Sequence, residues 1–152
     1  MTKTQTSTPR FLDQLQAAVD GKTNDLRVAQ LIGFRLTAVS EGRATISFKP
    51  GPQHTNLIGT LHGGILCDVA DAAMGLAYAS TLEAGESFTT IELKINFLKP
   101  VWDAELTAEG RVVKRGRTLG LVECDVTDEG GSLVARASST CMTLRGEKVA
   151  GR

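Results

Sequence analysis

Excess charge of either sign is missing: Lys plus Arg and Asp plus Glu number 17 each in the 152-residue chain, for a formal net charge of zero. A general nucleic-acid binder presents a basic surface, so this balance argues against that class while allowing a local basic cluster. No apolar run approaches the roughly 20 residues that span a bilayer. The opening MTKTQTSTPR has no apolar core of a secretory leader and reads as a frayed polar tail. Three cysteines, Cys67, Cys124 and Cys141, form no CxxC and each lies in an apolar stretch, so buried free thiols in a reducing compartment are expected. Only two histidines occur, His54 and His62, without HExxH or a Cys/His cluster, which removes the usual metal frameworks. GxSxG is absent too, so the HGG at 62–64 has no nucleophile elbow to serve. The expectation is one cytoplasmic domain over 10–144, between flexible tails at 1–9 and 145–152, with no cofactor, membrane or nucleic-acid partner.

What is present is strongly patterned. Phe11, Leu12, Leu15 and Ala18 share one face of a short helix over 10–19, which GK breaks. From Ile32 the period becomes two. Residues 32–40 form a strand, EG at 41–42 a turn, and Ala44, Ile46 and Phe48 alternate with polar residues along a second strand. A loop over 51–61 leads into a helix from about His62 to Leu82, roughly 30 Å long. It is apolar nearly all round and so should be buried on most sides. Residues 89–100 form the next strand, with Ile91, Leu93, Ile95 and Phe97 on its inward face. Strands over 104–116, 117–128 and 132–144 follow, joined by the tight turns KRGR and DEGG. About six antiparallel strands and one long apolar helix have an obvious packing solution, in which the sheet curls around the helix.

Two aspartates, Asp68 and Asp71, sit well inside that helix, where a carboxylate is expensive unless paired or used. Gly64, Asp71, Gly75 and Tyr78 share a stripe whose small residues leave room beside the Asp71 carboxylate, as a narrow substrate channel or a close helix contact requires. Either aspartate could instead pair with a cation or cap backbone across an interface. His62, Gly63 and Gly64 open the helix, where N–H groups lack intrahelical partners and the dipole is positive. Two readings of the glycines stand: an oxyanion hole for a carbonyl, or packing of a helix start against the sheet.

The strings HTNLIGTLHGGILCDVADAAMGLA, IELKINFLKP and VVKRGRTLGLVECDVTDEGGSLVARASST resemble the PaaI-type acyl-CoA thioesterases of the hotdog superfamily, over roughly residues 30–144. The spacing N-x₅-H-G-G-x₇-D carries the likeness. It implies an α+β hotdog fold, a curled antiparallel sheet around one long helix, assembled as a homodimer with interfacial active sites, often as a dimer of dimers. It implies acyl-CoA as substrate and Asp71, nine residues after His62, as the catalytic carboxylate. Asn56, His62 and Gly63 would come from the facing subunit: Asn56 to place the thioester or water, Gly63 N–H to polarise the carbonyl, and His62 to bond within its loop. Thr90 would orient the water. Asp68 has no catalytic counterpart in the family.

Asp71 then acts as general base for water or attacks directly through a mixed anhydride. Coenzyme A carries phosphates, and Lys114, Arg115 and Arg117 form the densest basic cluster, with Lys99 a lesser candidate. The cluster also reads as a solvated hairpin tip. Leu57, Ile58, Leu61 and Met74, with Gly64, are expected to line the acyl pocket. Hydratase and dehydratase relatives of the fold match less well, since their proline-rich motif is absent and no His follows Asp71. The alternative is a non-catalytic acyl-CoA-binding module, against which a desolvated acid speaks.

Overall fold

The computed structural model describes residues 9–23 and 26–150. Residues 1–8 of the expected N-terminal tail and 151–152 of the C-terminal one lie outside the described residues, and Gly146–Val149 forms a short 3-10 turn. The elements are α1 (Phe11–Val19), α2 (Arg27–Ile32), β1 (Phe34–Ser40), β2 (Arg43–Phe48), α3 (Gly63–Ala79), β3 (Ser87–Phe97), β4 (Leu106–Arg115), β5 (Leu119–Asp128) and β6 (Leu133–Leu144). The six strands form one antiparallel sheet in the order β1-β2-β4-β5-β6-β3, packed around α3. This is the curled sheet around a central helix that the sequence predicts.

The core lies between α3 and the concave face of the sheet. Val69, Ala70, Ala73, Met74, Ala77 and Tyr78 recur at three- and four-residue steps and are fully buried. They meet Ile46 and Phe48 of β2, the inward half of the predicted alternation, and Leu106, Val122 and Val126 from β4 and β5. Each large apolar side chain buried this way contributes about 1.5–3 kcal/mol. Helix and sheet touch backbone to backbone at one point: a Cβ on Gly110 of β4 would lie 2.2 Å from the Ala73 carbonyl oxygen. Tyr78 anchors the far end, with its hydroxyl 2.8 Å from Thr143 Oγ1 and its ring 4.8 Å below the Arg115 guanidinium.

Four expectations change. Helix α3 ends at Ala79 rather than Leu82, because the hydroxyls of Ser80 and Thr81 bond back to the carbonyls of Ala77 and Tyr78. It is also not buried on most sides, since the sheet covers one face and leaves His62, Gly64, Asp68 and Asp71 exposed. Strand β3 has no fully buried residue, and Ile91 and Phe97 are about half exposed (52% and 53%). It is an edge strand, paired among the described residues with β6 alone, and a register shift between Thr90 and Glu92 interrupts its alternation. Finally, helix α2 lies ahead of β1, ended by Gly33 in the left-handed region (φ 92°), a backbone state that favours glycine. Six residues are too few to reveal a helical period.

Candidate active site

Asp71 projects from the open face of α3 toward β3, where Thr90 Oγ1 donates to its Oδ1 at 3.4 Å. The aspartate expected to be buried is therefore exposed, because the sheet wraps only the other side of the helix. Its carboxyl nevertheless stands at the mouth of an apolar groove. Partial removal from water raises its pKa above the ordinary carboxylate value; the Thr90 hydrogen bond opposes this and the negative charge of Asp68 adds to it. The flanking thiols do not compete as nucleophiles. Burial pushes both Cys67 and Cys141 upward, and the Asp71 charge adds to this at each, so they stay protonated near neutrality. Cys124, in the core, is pushed up to about 12, chiefly by burial. Of the thiols expected to be buried, Cys124 and Cys141 are, whereas Cys67 is only partly covered.

The helix start is built differently. His62 caps α3, its Nδ1 accepting from Gly64 N–H at 2.9 Å, and its own N–H donates to the His54 carbonyl at 2.8 Å. A neutral ring bonded this way carries its proton on Nε2, so Nδ1 is not free as a base. Gly64 spends its N–H on this cap and has none to offer a substrate. Gly63 N–H has no intrahelical acceptor and no partner among the described residues. The Phe97 ring packs so closely over Gly63 that a Cβ there would lie 2.9 Å from it, so packing and an available donor coexist at one residue.

Asn56 organises the loop before the helix. Its Oδ1 accepts from the N–H of Ile58 (2.9 Å) and Thr60 (3.2 Å), while Nδ2 donates to Thr60 Oγ1 at 2.9 Å. One Nδ2 hydrogen is left for a ligand. Asn56, Leu61, Gly63 and Phe97 line one groove, of about 440 Å³. Asp71 and Thr90 line another, of about 610 Å³. Within the chain the predicted site residues thus divide: Asp71 and Thr90 form one half, Asn56 and Gly63 another, and His62 borders a third groove with Gly64 and Asp68.

The larger groove runs between α1 and α3. Phe11 and Leu15 of α1, Phe34 of β1 and Phe88 of β3 form its apolar walls. Ala72, Gly75 and Ala79 of α3 form its floor; of the predicted stripe Asp71 and Gly75 line this groove, whereas Gly64 borders another and Tyr78 is buried in the core. The residues expected to line the acyl pocket lie elsewhere. Met74 is fully buried against the sheet, Leu61 is 7% exposed in the smaller groove, and Leu57 and Ile58 stand in solvent at the loop tip. The step from Met74 to Gly75 rotates a residue by about 100° around the helix, enough to move it from core to groove. The role of α1 as a groove wall escaped the sequence reading, although the apolar face of Phe11 and Leu15 is its signal.

The basic cluster also divides. Arg115 is committed within the fold: it stacks on Tyr78, donates to Thr81 Oγ1 at 3.1 Å and pairs with Glu86 at 3.4 Å. It is a structural residue rather than an expected phosphate ligand. Lys114 and Arg117 remain exposed on the same hairpin. Lys99 pairs with Asp128 at 2.5 Å, and that pairing holds the Asp128 carboxyl below its usual range. Among the described residues, no group of three His, Cys, Asp or Glu side chains is placed to hold a metal, and no helix is long and apolar enough to cross a membrane.

Residues 58–135 match the family model of the thioesterase superfamily. A protein of Saccharolobus solfataricus is 33% identical over 119 residues, 78% of this chain and 84% of its own length. Human acyl-coenzyme A thioesterase 13 is 29% identical over 129 residues, covering 83% of this chain and 91% of that protein. Among solved structures, a thioesterase family protein from Silicibacter pomeroyi superposes with a TM-score of 0.78 at 29% identity, covering 87% of this chain and 99% of that one. The E. coli PaaI protein from the phenylacetic acid degradation operon gives a TM-score of 0.79 at 22% identity, covering 90% and 97%, a likeness that bears on the fold alone.

Proposed function

Since the chain belongs to the thioesterase superfamily and is a thioester hydrolase, we propose that it cleaves acyl-CoA to a carboxylate and free coenzyme A, with Asp71 as general base. The observation that carries this reading is the pairing of Asp71 with Thr90 at the mouth of an apolar groove. Water held between the carboxylate and the Thr90 hydroxyl gives a proton to Asp71 as its oxygen attacks the thioester carbon. The carbonyl oxygen becomes an oxyanion, stabilised by Gly63 N–H at the positive end of α3. Collapse breaks the C–S bond, and Asp71 returns the proton to the departing thiolate. A thioester is already a good electrophile, so one base and one N–H donor suffice.

The two halves favour a homodimer in which Asn56 and Gly63 of one copy face Asp71 and Thr90 of the other. The separation of these pairs between two grooves supports this arrangement, as does the unpaired outer edge of β3. Exposed Lys114 and Arg117 suit the coenzyme A phosphates, and pairing of dimers into a tetramer remains part of the same proposal.

Thiol release from short, medium, long and aromatic acyl-CoAs tests the function. Turnover of at least one sustains it; binding of acyl-CoA without release overturns it in favour of a binding module. The pH profile tests the base. Asp71 must be ionised, so kcat/KM has an acid limb above the ordinary carboxylate range. Thr90→Val removes the bond that lowers the Asp71 pKa and moves the limb to higher pH. Asp68→Asn removes a charge that raises it and moves the limb to lower pH. Two shifts of the same sign would refute the assignment.

A further inference from the structure

The geometry points to the α1–α3 groove as a measuring channel for unbranched acyl chains of medium length, with Gly75 the residue that sets how far a chain can enter. This rests on the reading of Asp71 as the carboxylate at the reacting carbon, and it adds the substrate class and a specificity-determining residue.

The cavity itself carries the inference. Asp71 and Thr90 lie on its lining together with Ala79, two turns further along α3, so the reacting end and the deep end belong to one continuous space. Asp71 and Ala79 are eight positions apart on the helix, roughly 12 Å along the axis. An extended alkyl chain of about nine or ten carbons spans that length at ordinary C–C geometry. The volume of about 610 Å³ is that of a site enclosing a small organic ligand. Past the carboxylate the lining is almost wholly apolar, while Asp13, Gln14 and Thr23 are exposed at the rim. Among the described residues, nothing past the carboxylate would pair with a hydroxyl or charge on the acyl group, which disfavours polar-substituted acyl groups at the deep end.

Gly75 lies one turn beyond Asp71 on the groove floor. A Cβ there would sit 3.4 Å from the Phe88 ring on the opposite wall. The passage at this point is therefore as wide as the missing side chain. Alanine would touch Phe88 at ordinary contact distance, and a branched side chain would close the channel about 6 Å from the carboxylate. Short acyl groups end before that point and longer ones must pass it.

The test compares wild type, Gly75→Ala and Gly75→Val on butyryl-CoA and decanoyl-CoA. The readout is the ratio of the two kcat/KM values for each protein. The decanoyl-to-butyryl ratio is expected to fall at least about tenfold in Gly75→Val, with a smaller fall in Gly75→Ala, which as a helix former secures a folded variant. An unchanged ratio in folded Gly75→Val, or a drop shared equally by both substrates, overturns the channel. Calorimetry with the non-hydrolysable thioethers butyl-CoA and decyl-CoA separates the two readings. If wild type releases no thiol yet binds decyl-CoA more tightly, and Gly75→Val abolishes that preference, the channel stands and the hydrolase reading falls. If wild type binds both thioethers alike, the channel falls whatever the turnover. Should Gly75→Val not fold, Gly75→Ala decides by the same ratio, an unchanged value overturning the channel.

Discussion

Asp71→Asn is expected to lose at least about a hundredfold in kcat, roughly 2.7 kcal/mol of barrier, while the protein stays folded. Asparagine keeps the size of the side chain, and its amide oxygen can still accept from Thr90. What disappears is the basic oxygen that takes a proton from water. The stability of the variant separates this from damage. Partial burial raises the Asp71 pKa, so the folded chain holds the proton more tightly than the unfolded one, whose value is close to 3.8. Between that value and the raised one, folding loses stability as pH rises, and the loss persists at neutral pH. Asparagine has no charge to desolvate, so the variant should melt at or above the wild-type temperature at pH 7. A kcat within tenfold of wild type would remove Asp71 from the chemistry.

Gly110→Ala is expected to be among the most damaging single-atom additions. The new Cβ would lie 2.2 Å from the Ala73 carbonyl oxygen, 2.5 Å from its carbon and 2.9 Å from the Met74 nitrogen. All three are backbone atoms of α3, so no side chain can swing away and the helix must lift from β4. Overpacking typically costs 1–3 kcal/mol, and about 3 kcal/mol is the expected loss here, read as a lower urea midpoint with an unchanged slope. Gly130→Ala, in the turn after β5, meets only Asp128 Oδ1 at 3.3 Å and should change stability by about 0.5 kcal/mol or less. Equal midpoints for the two variants would contradict the close helix–sheet contact.

Where a local period exists, the sequence discloses the fold. Ala44, Ile46 and Phe48 announce both the strand and its buried face, because alternation in β2 is set by a pleat that the chain makes alone. Helix α3 shows the opposite case. Its apolar residues run nearly all round, so the pattern marks a buried helix without telling which side meets the sheet. Hence Met74 reads as a groove residue and belongs to the core, while Gly75 and Ala72 form the floor. The inward face assigned to β3 holds at Leu93 and Ile95 but fails at Ile91 and Phe97 for a related reason: burial along an edge strand depends on what lies beyond the edge. Arg115 looks free because its partners, Tyr78, Thr81 and Glu86, are 29 to 37 residues away in sequence and reach it only through the curl of the sheet. Asp71 and Thr90, 19 residues apart, meet as the family resemblance implies they could, and the single chain leaves the aspartate more open than expected.

The position of β3 at the sheet edge governs the order in which the molecule can be finished during synthesis. Residues 87–97 emerge from the ribosome long before residues 133–144, their only strand neighbour among the described residues, and β4 and β5 must be laid down in between. Asp71 can occupy a formed helix early, but the strand that brings Thr90 to it has nothing to pair with until translation has nearly reached residue 144. For that interval the nascent chain holds an unpaired, partly apolar strand, the kind of segment that associates wrongly when it waits. Such distant pairing is also slow, on the millisecond-to-second scale for sheet-rich domains. A chain halted before β6 would therefore carry the carboxylate, the helix and most of the groove, and still lack the wall that holds Thr90 in place.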